Sequence, residues 1–154
     1  MGRHYGRAPV GEPAIIYDQP ARAESFSLVG ALVPEGVLSA MFVEGSVDGD
    51  AFLAWCEQAL CPVLQRGDLV VMDNLGVHHM DDIVAAIEAT GAELCFLPPY
   101  SPDFNPIELL WAWLKKLVRD RAPRTAELLQ STVGQVLRKV THELSESWIA
   151  SCGW

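Results

Sequence analysis

The sequence predicts an α/β fold in which a mixed sheet is flanked by helices, and three observations carry that expectation. Two strongly apolar, β-like runs, Ser25–Val33 and Val37–Glu44, flank Pro34-Glu35-Gly36, which has the composition of a turn, so an antiparallel hairpin is expected. From Asp48 to Leu97 helical and strand-like patterns alternate, as they do where strands are joined through helices. Beyond Asn105 only helical periodicity remains. The 154 residues suit a single domain, and with 50% of them hydrophobic the chain can bury a sizeable core.

Each element has a local reason. Residues 1–24 hold three Pro, three Gly and no apolar periodicity, and read as an extended or loop segment. A helix is expected over 48–64, with Asp48 as N-cap, a buried stripe of Phe52, Trp55, Ala59 and Leu60, and Pro62 limiting its regular part. Asp68-Leu-Val-Val-Met-Asp73 is almost wholly apolar, the pattern of a strand covered on both faces, and it delivers Asp73 at its C-terminal end. His79–Thr90 reads as a helix that buries Ile83, Ala86 and Ile87, and Gly91 stops it before a strand over Glu93–Leu97. The loop 98–106 is rich in proline and ends in a helix start, with Asn105 at the N-cap, Pro106 at N1 and Glu108 at N3. That helix runs to about Arg121 with Ile107, Leu110, Trp111, Leu114, Leu117 and Val118 inward. Helices near 125–140 and 144–151 complete the chain, which shows no internal repeat and no low-complexity tract.

The net charge of −9 excludes a protein that coats nucleic acid by charge alone. The balance is uneven: residues 115–139 carry seven basic and two acidic residues, a net +5, which leaves −14 for the remainder. Within that segment Lys115, Lys116 and Arg119 form a candidate phosphate-facing patch, with a solvated helix face as the equally weighted alternative. The four cysteines, Cys56, Cys61, Cys95 and Cys152, show no C-x-x-C pairing and sit in apolar stretches, as reduced thiols of a cytoplasmic protein do. No apolar run reaches the roughly 18–20 residues of a membrane span, and no signal-peptide core opens the chain.

Asp73, at a strand end, and Glu108, at a helix start, are the two carboxylates placed where side chains converge on one crevice. Convergent carboxylates are what divalent-metal phosphoryl transfer needs, because two ions roughly 3.5–4 Å apart stabilise the attacking and leaving oxygens together. Structural roles stay open beside this one. Asp73-Asn74 can cap a strand-to-loop turn, and Glu108 can close a reciprocal capping box with Asn105. His78 and His79 with Asp81 and Asp82 form either a metal cluster or the polar first turn of a helix, and the second reading is favoured. Tyr100 and Phe104 either stack on bases or pin their loop to the core.

The string Val70-Val-Met-Asp73-Asn-Leu-Gly-Val-His78, the 34 residues between Asp73 and Glu108, and Leu97-Pro-Pro-Tyr-Ser-Pro-Asp-Phe-Asn-Pro-Ile-Glu108-Leu-Leu-Trp111 resemble the catalytic core of bacterial insertion-sequence transposases of the mariner-like superfamily. The similarity extends upstream through Arg3-His-Tyr-Gly-Arg-Ala-Pro-Val-Gly11 and downstream to Cys152-Gly-Trp154. It implies an RNase H-like fold and an aspartate-aspartate-glutamate triad in which Asp73 is the second carboxylate and Glu108 the third. It also implies Mg²⁺ or Mn²⁺ as cofactor and cleavage and transfer of DNA strands at transposon ends and target; a homo-oligomer or pairing with a full-length transposase is left open as a further partner. The family's first strand, first aspartate and N-terminal helix-turn-helix find no counterpart among these residues, since Met1 falls inside the upstream similarity and Asp18 sits in loop-like sequence. The expectation is therefore a partial catalytic domain over 1–154 with an open edge on the hairpin strand Ser25–Val33. The rival expectation is an inactive remnant that acts as a folded interaction or regulatory domain.

Overall fold

The structure, a computed structural model, describes residues 25–74 and 80–154. The expectations for residues 1–24, for Asp18 and for His78 and His79 lie outside the described residues. Strands β1 (Phe26–Val33) and β2 (Gly36–Glu44) form the hairpin, paired from Phe26 with Glu44 to Val33 with Gly36 and shifted in register between Ala31 and Leu32.

Asp48 caps the first helix as expected, its Oδ1 accepting the Ala51 N–H at 2.9 Å. The expected single helix over 48–64 is instead three short pieces. Helix α1 (Gly49–Trp55) passes into a π turn (Cys56–Leu60) and a 3₁₀ turn (Cys61–Val63). Pro62 explains the change: it has no N–H to donate and its ring crowds the preceding turn, so the backbone widens before it and tightens after it. The Cys61 N–H accordingly reaches back to the Cys56 carbonyl.

Strands β3 (Leu69–Met72) and β4 (Glu93–Phe96) pair in parallel, Leu69 opposite Glu93 and Met72 opposite Phe96. Between them helix α2 (Met80–Glu88) buries Ile83 and Ile87 almost completely, and Gly91 follows at φ +86°, a left-handed position that suits glycine after a helix. Helices α3 (Pro106–Arg121), α4 (Ala126–Leu137) and α5 (His142–Ser151) follow. Helix α4 ends before the expected 140 and α5 begins before the expected 144. Thr125 and Thr141 set their starts, each hydroxyl accepting an N–H three residues on, from Leu128 and Leu144.

The residues of β1 alternate between two cores. Val29 and Ala31 join Trp55, Cys56, Leu60, Ile83 and Ile87 on the α1/α2 side, whereas Leu28 and Leu32 pack against the α3–α5 side. Gly30 lies on the second face, where a Cβ would meet the Trp111 ring at 3.0 Å, so the missing side chain lets that indole lie on the strand. Helix α5 is tied to the hairpin through the Ser145 hydroxyl on the Val33 carbonyl and through His142 Nδ1, 2.9 Å from the Pro34 carbonyl.

All four cysteines are free thiols, two buried and two half-buried. Burial first, then Cys61 and Glu57 nearby, push the Cys56 thiol up to about 12, so it stays protonated and inert near neutrality. Among the described residues no helix is long and apolar enough to cross a membrane.

Candidate active site

The parallel pair delivers Asp73 to the site. The Leu97 N–H bonds the Met72 carbonyl at 2.9 Å, so the ladder continues past the last strand residues and holds the chain on either side of Asp73 and Leu97. From Leu97 the loop returns to Asn105, which is 7% exposed and anchors it. Asn105 Oδ1 accepts the Ile107 N–H at 3.3 Å to cap α3, while its Nδ2 donates to Asp73 Oδ1 at 2.8 Å. One buried amide therefore joins the strand end carrying Asp73 to the helix start carrying Glu108, three residues on. Asp73, Asn105 and Glu108 line the same cleft, of about 1100 Å³.

The expected capping box is not formed as written. The Asn105 N–H is taken by the Pro102 carbonyl at 2.9 Å, in the 3₁₀ turn Pro102–Phe104, so it is not offered to the Glu108 carboxylate. The Glu108 backbone N–H instead bonds the Asn105 carbonyl at 3.1 Å and its side chain stays exposed at the cleft. The reading of Tyr100 and Phe104 as pins of the loop is also corrected. Tyr100 is fully exposed in a left-handed backbone position, φ 58°, and Phe104 is 51% exposed. The loop is held by polar contacts instead: Asn105 on Asp73, and the Trp154 indole N–H on the Phe104 carbonyl at 2.8 Å.

Neither Asn105's bond to Asp73 nor the part played by Trp154 was anticipated from sequence. A signal for the first existed: asparagine, unlike serine or aspartate at an N-cap, has two amide hydrogens to spare once its oxygen caps the helix. Lys115, Lys116 and Arg119 are exposed on α3, beginning about two turns, some 10 Å, beyond Glu108. Asp81 and Asp82 lie in the first turn of α2, where carboxylates meet the positive end of the helix dipole.

A family profile described as DDE superfamily endonuclease matches residues 1–130. The chain belongs to that family. The fold of this DDE endonuclease domain agrees with solved structures. Against the Mos1 strand transfer complex the TM-score is 0.68, with 19% identity over 99% of this chain and 50% of that chain. Against a pre-cleavage Mos1 transpososome it is 0.50, with 18% identity over 99% of this chain and 52% of that chain. The architecture is thus the mixed α/β, RNase H-like fold of the Mos1 catalytic domain, and the chain spans about half the length of those solved chains. No curated protein sequence matches it.

Among the described residues of the DDE domain, no three His, Cys, Asp or Glu side chains close around one point. Two carboxylates at an open cleft nevertheless suit Mg²⁺ or Mn²⁺, hard cations commonly held by one or two carboxylates with water and phosphate oxygens.

Asn105→Ala is expected to lower stability by about 1–2 kcal/mol, because the cap and the bond to Asp73 are lost together. Asn105→Asp keeps a good cap yet should be no better, since it sets a carboxylate against Asp73. Combining it with Asp73→Asn lets the amide donate in the reverse direction and should restore most of the loss in urea unfolding. An Asn105→Asp single variant as stable as the parent would show that the 2.8 Å bond carries no weight.

Proposed function

We propose that this chain is the catalytic domain of an insertion-sequence transposase that cleaves and joins DNA strands with Mg²⁺ or Mn²⁺. The observation that carries this reading is the Asn105 amide, which brings Asp73 and Glu108 to one cleft in a DDE endonuclease domain. In this reading Asp73 and Glu108 hold the metal and the Asn105 amide orients the Asp73 carboxylate. The bound ion supplies activation of water, and later of a DNA 3′-hydroxyl, for attack on a phosphodiester. The exposed Lys115, Lys116 and Arg119 hold the phosphate backbone beside the carboxylates, locally offsetting the −9 charge of the chain.

Metal binding is tested without activity. Mn²⁺ should broaden the NMR signals of the Asn105 side-chain amide and the Ile107 N–H at substoichiometric concentration, and Asp73→Ala/Glu108→Ala should abolish the effect. Broadening that persists in the double variant would move the metal elsewhere.

DNA binding should be weak and governed by salt, its log–log slope falling by about 0.9 for each phosphate contact removed. Charge reversal at Lys115, Lys116 and Arg119 together should therefore flatten the slope by about 2–3. An unchanged slope would leave these residues a solvated helix face.

A second reading, a non-catalytic folded domain that pairs with a complete transposase, is favoured by the two-carboxylate donor set among the described residues. Retained dimerisation without metal broadening would support it.

A further inference from the structure

The orientation of the Asp73 carboxylate depends on which way one amide points. Asn105 Nδ2 reaches Asp73 Oδ1 at 2.8 Å, but the cap bond from the Ile107 N–H to Asn105 Oδ1 is long, at 3.3 Å, so the start of α3 holds that side chain only loosely. The peptide unit joining Phe104 to Asn105 holds it further, because it is bonded at both poles. Its N–H donates to the Pro102 carbonyl at 2.9 Å, and its carbonyl accepts the Trp154 indole N–H at 2.8 Å. Rotation of that unit changes the backbone torsion that swings the Asn105 side chain. A turn of about 30° would carry an atom roughly 2.5 Å off the axis through about 1.3 Å, enough to break a hydrogen bond.

Trp154 is in turn placed by the end of α5. After Ser151 the chain turns through Gly153 at φ +89°, the Gly153 N–H bonds the Ala150 carbonyl at 3.1 Å, and the Trp154 N–H bonds the Ile149 carbonyl at 3.3 Å. Two such bonds around a left-handed glycine make a Schellman ending. A Cβ on Gly153 would meet nothing within 4 Å, so the demand for glycine there is purely conformational. Helix α5 is anchored by Trp148, packed with Leu110 and Val140, and by the Ser145 hydroxyl on the Val33 carbonyl. A continuous run of contacts therefore leads from the hairpin through α5 to the loop that carries Asn105. The Trp154 ring is 48% exposed and lines the cleft with Asp73, Asn105 and Glu108, so its indole bond, more than burial, is what it contributes.

We propose that Trp154 is a positioning residue for the Asp73 carboxylate: its indole holds the Phe104 carbonyl, which sets the backbone of Asn105 and so directs the Asn105 amide onto Asp73. Trp154 acts through Asn105 and not on a metal. The proposal rests on the catalytic reading for one consequence only, that Asp73 held in this orientation binds Mn²⁺ more tightly. The restraint is worth no more than the bond that supplies it, a factor of about two to ten in an equilibrium constant.

The test uses the full chain and two variants. Trp154→Phe keeps an aromatic ring and removes the donor, and Gly153→Val disfavours the left-handed turn without a clash. In the absence of metal, solvent exchange of the Asn105 side-chain amide protons, followed by NMR, is expected to quicken by about two- to tenfold in Trp154→Phe, with the urea midpoint close to that of the parent. Gly153→Val should quicken it in the same direction. The Mn²⁺ concentration that broadens the Ile107 N–H should rise by about two- to tenfold in Trp154→Phe, and should not rise further when Trp154→Phe is added to Asn105→Ala. Unchanged Asn105 exchange in Trp154→Phe, or equal losses of Mn²⁺ affinity with and without Asn105, would overturn the proposal and leave Trp154 a fastening of the end of α5. Quickened exchange in a chain that binds no Mn²⁺ at Asp73 would support the positioning role and overturn the catalytic reading instead.

Discussion

Incubated with supercoiled DNA and Mg²⁺ or Mn²⁺, the chain by itself is expected to leave the DNA intact, whereas a form extended upstream by an apolar strand bearing an aspartate should nick it. Among the described residues no third His, Cys, Asp or Glu gathers with Asp73 and Glu108, and two carboxylates without a third are a poor bridge for a second ion. The −14 balance outside residues 115–139 adds repulsion toward a polyanion. A shortfall of several kcal/mol in stabilising the charge of the transition state corresponds to a rate lower by about 10³-fold or more, below detection in a nicking assay. In the extended form Asp73→Ala and Glu108→Gln should each abolish nicking, whereas Lys116→Glu should weaken it in a salt-dependent way. Metal-dependent nicking by the chain as it stands, lost on Asp73→Ala, would overturn this expectation and direct the search for a further ligand to Asp18 and His78.

Leu110→Ala is expected to be the most damaging single core substitution on α3, at about 3 kcal/mol and within the 2–5 kcal/mol usual for such a truncation. Leu110 is fully buried and packs with Val140 and Trp148 under the end of the hairpin, so its loss leaves a cavity where α3, α5 and β1 meet. For a chain of this size that corresponds to a melting temperature lower by roughly 6–12 °C. The effect is large against the 5–15 kcal/mol of a typical domain, and it should appear equally in urea and thermal unfolding. Leu109→Ala, one position round the helix and 38% exposed, is the internal control and should cost well under 1 kcal/mol. Equal losses at the two positions would contradict the assigned face of α3.

The local signals of the sequence determined most of the elements, because each has a short-range physical cause. Pro34-Glu35-Gly36 turned the hairpin, Asp48 and Asn105 capped helices, and Gly91 stopped α2. The apolar run before Asp73 and the helix start before Glu108 were legible for the same reason, as were the outward Lys115, Lys116 and Arg119 opposite a stripe containing Leu110 and Leu114. What sequence could not settle were bonds whose partners lie far along the chain. The break of the 48–64 helix into α, π and 3₁₀ pieces was only half signalled by Pro62, since how the backbone relieves a proline depends on what packs around it. The capping box was locally possible, but the Pro102 carbonyl competed for the Asn105 N–H and the Asn105 amide turned to Asp73, 32 residues away. Likewise an open edge on β1 was an expectation of the sequence, whereas that β1 and β3 line one cleft, each with a single ladder partner among the described residues, is a fact of tertiary packing. Strand edges are read from which strand lies beside which, and no periodicity within a strand records its neighbour.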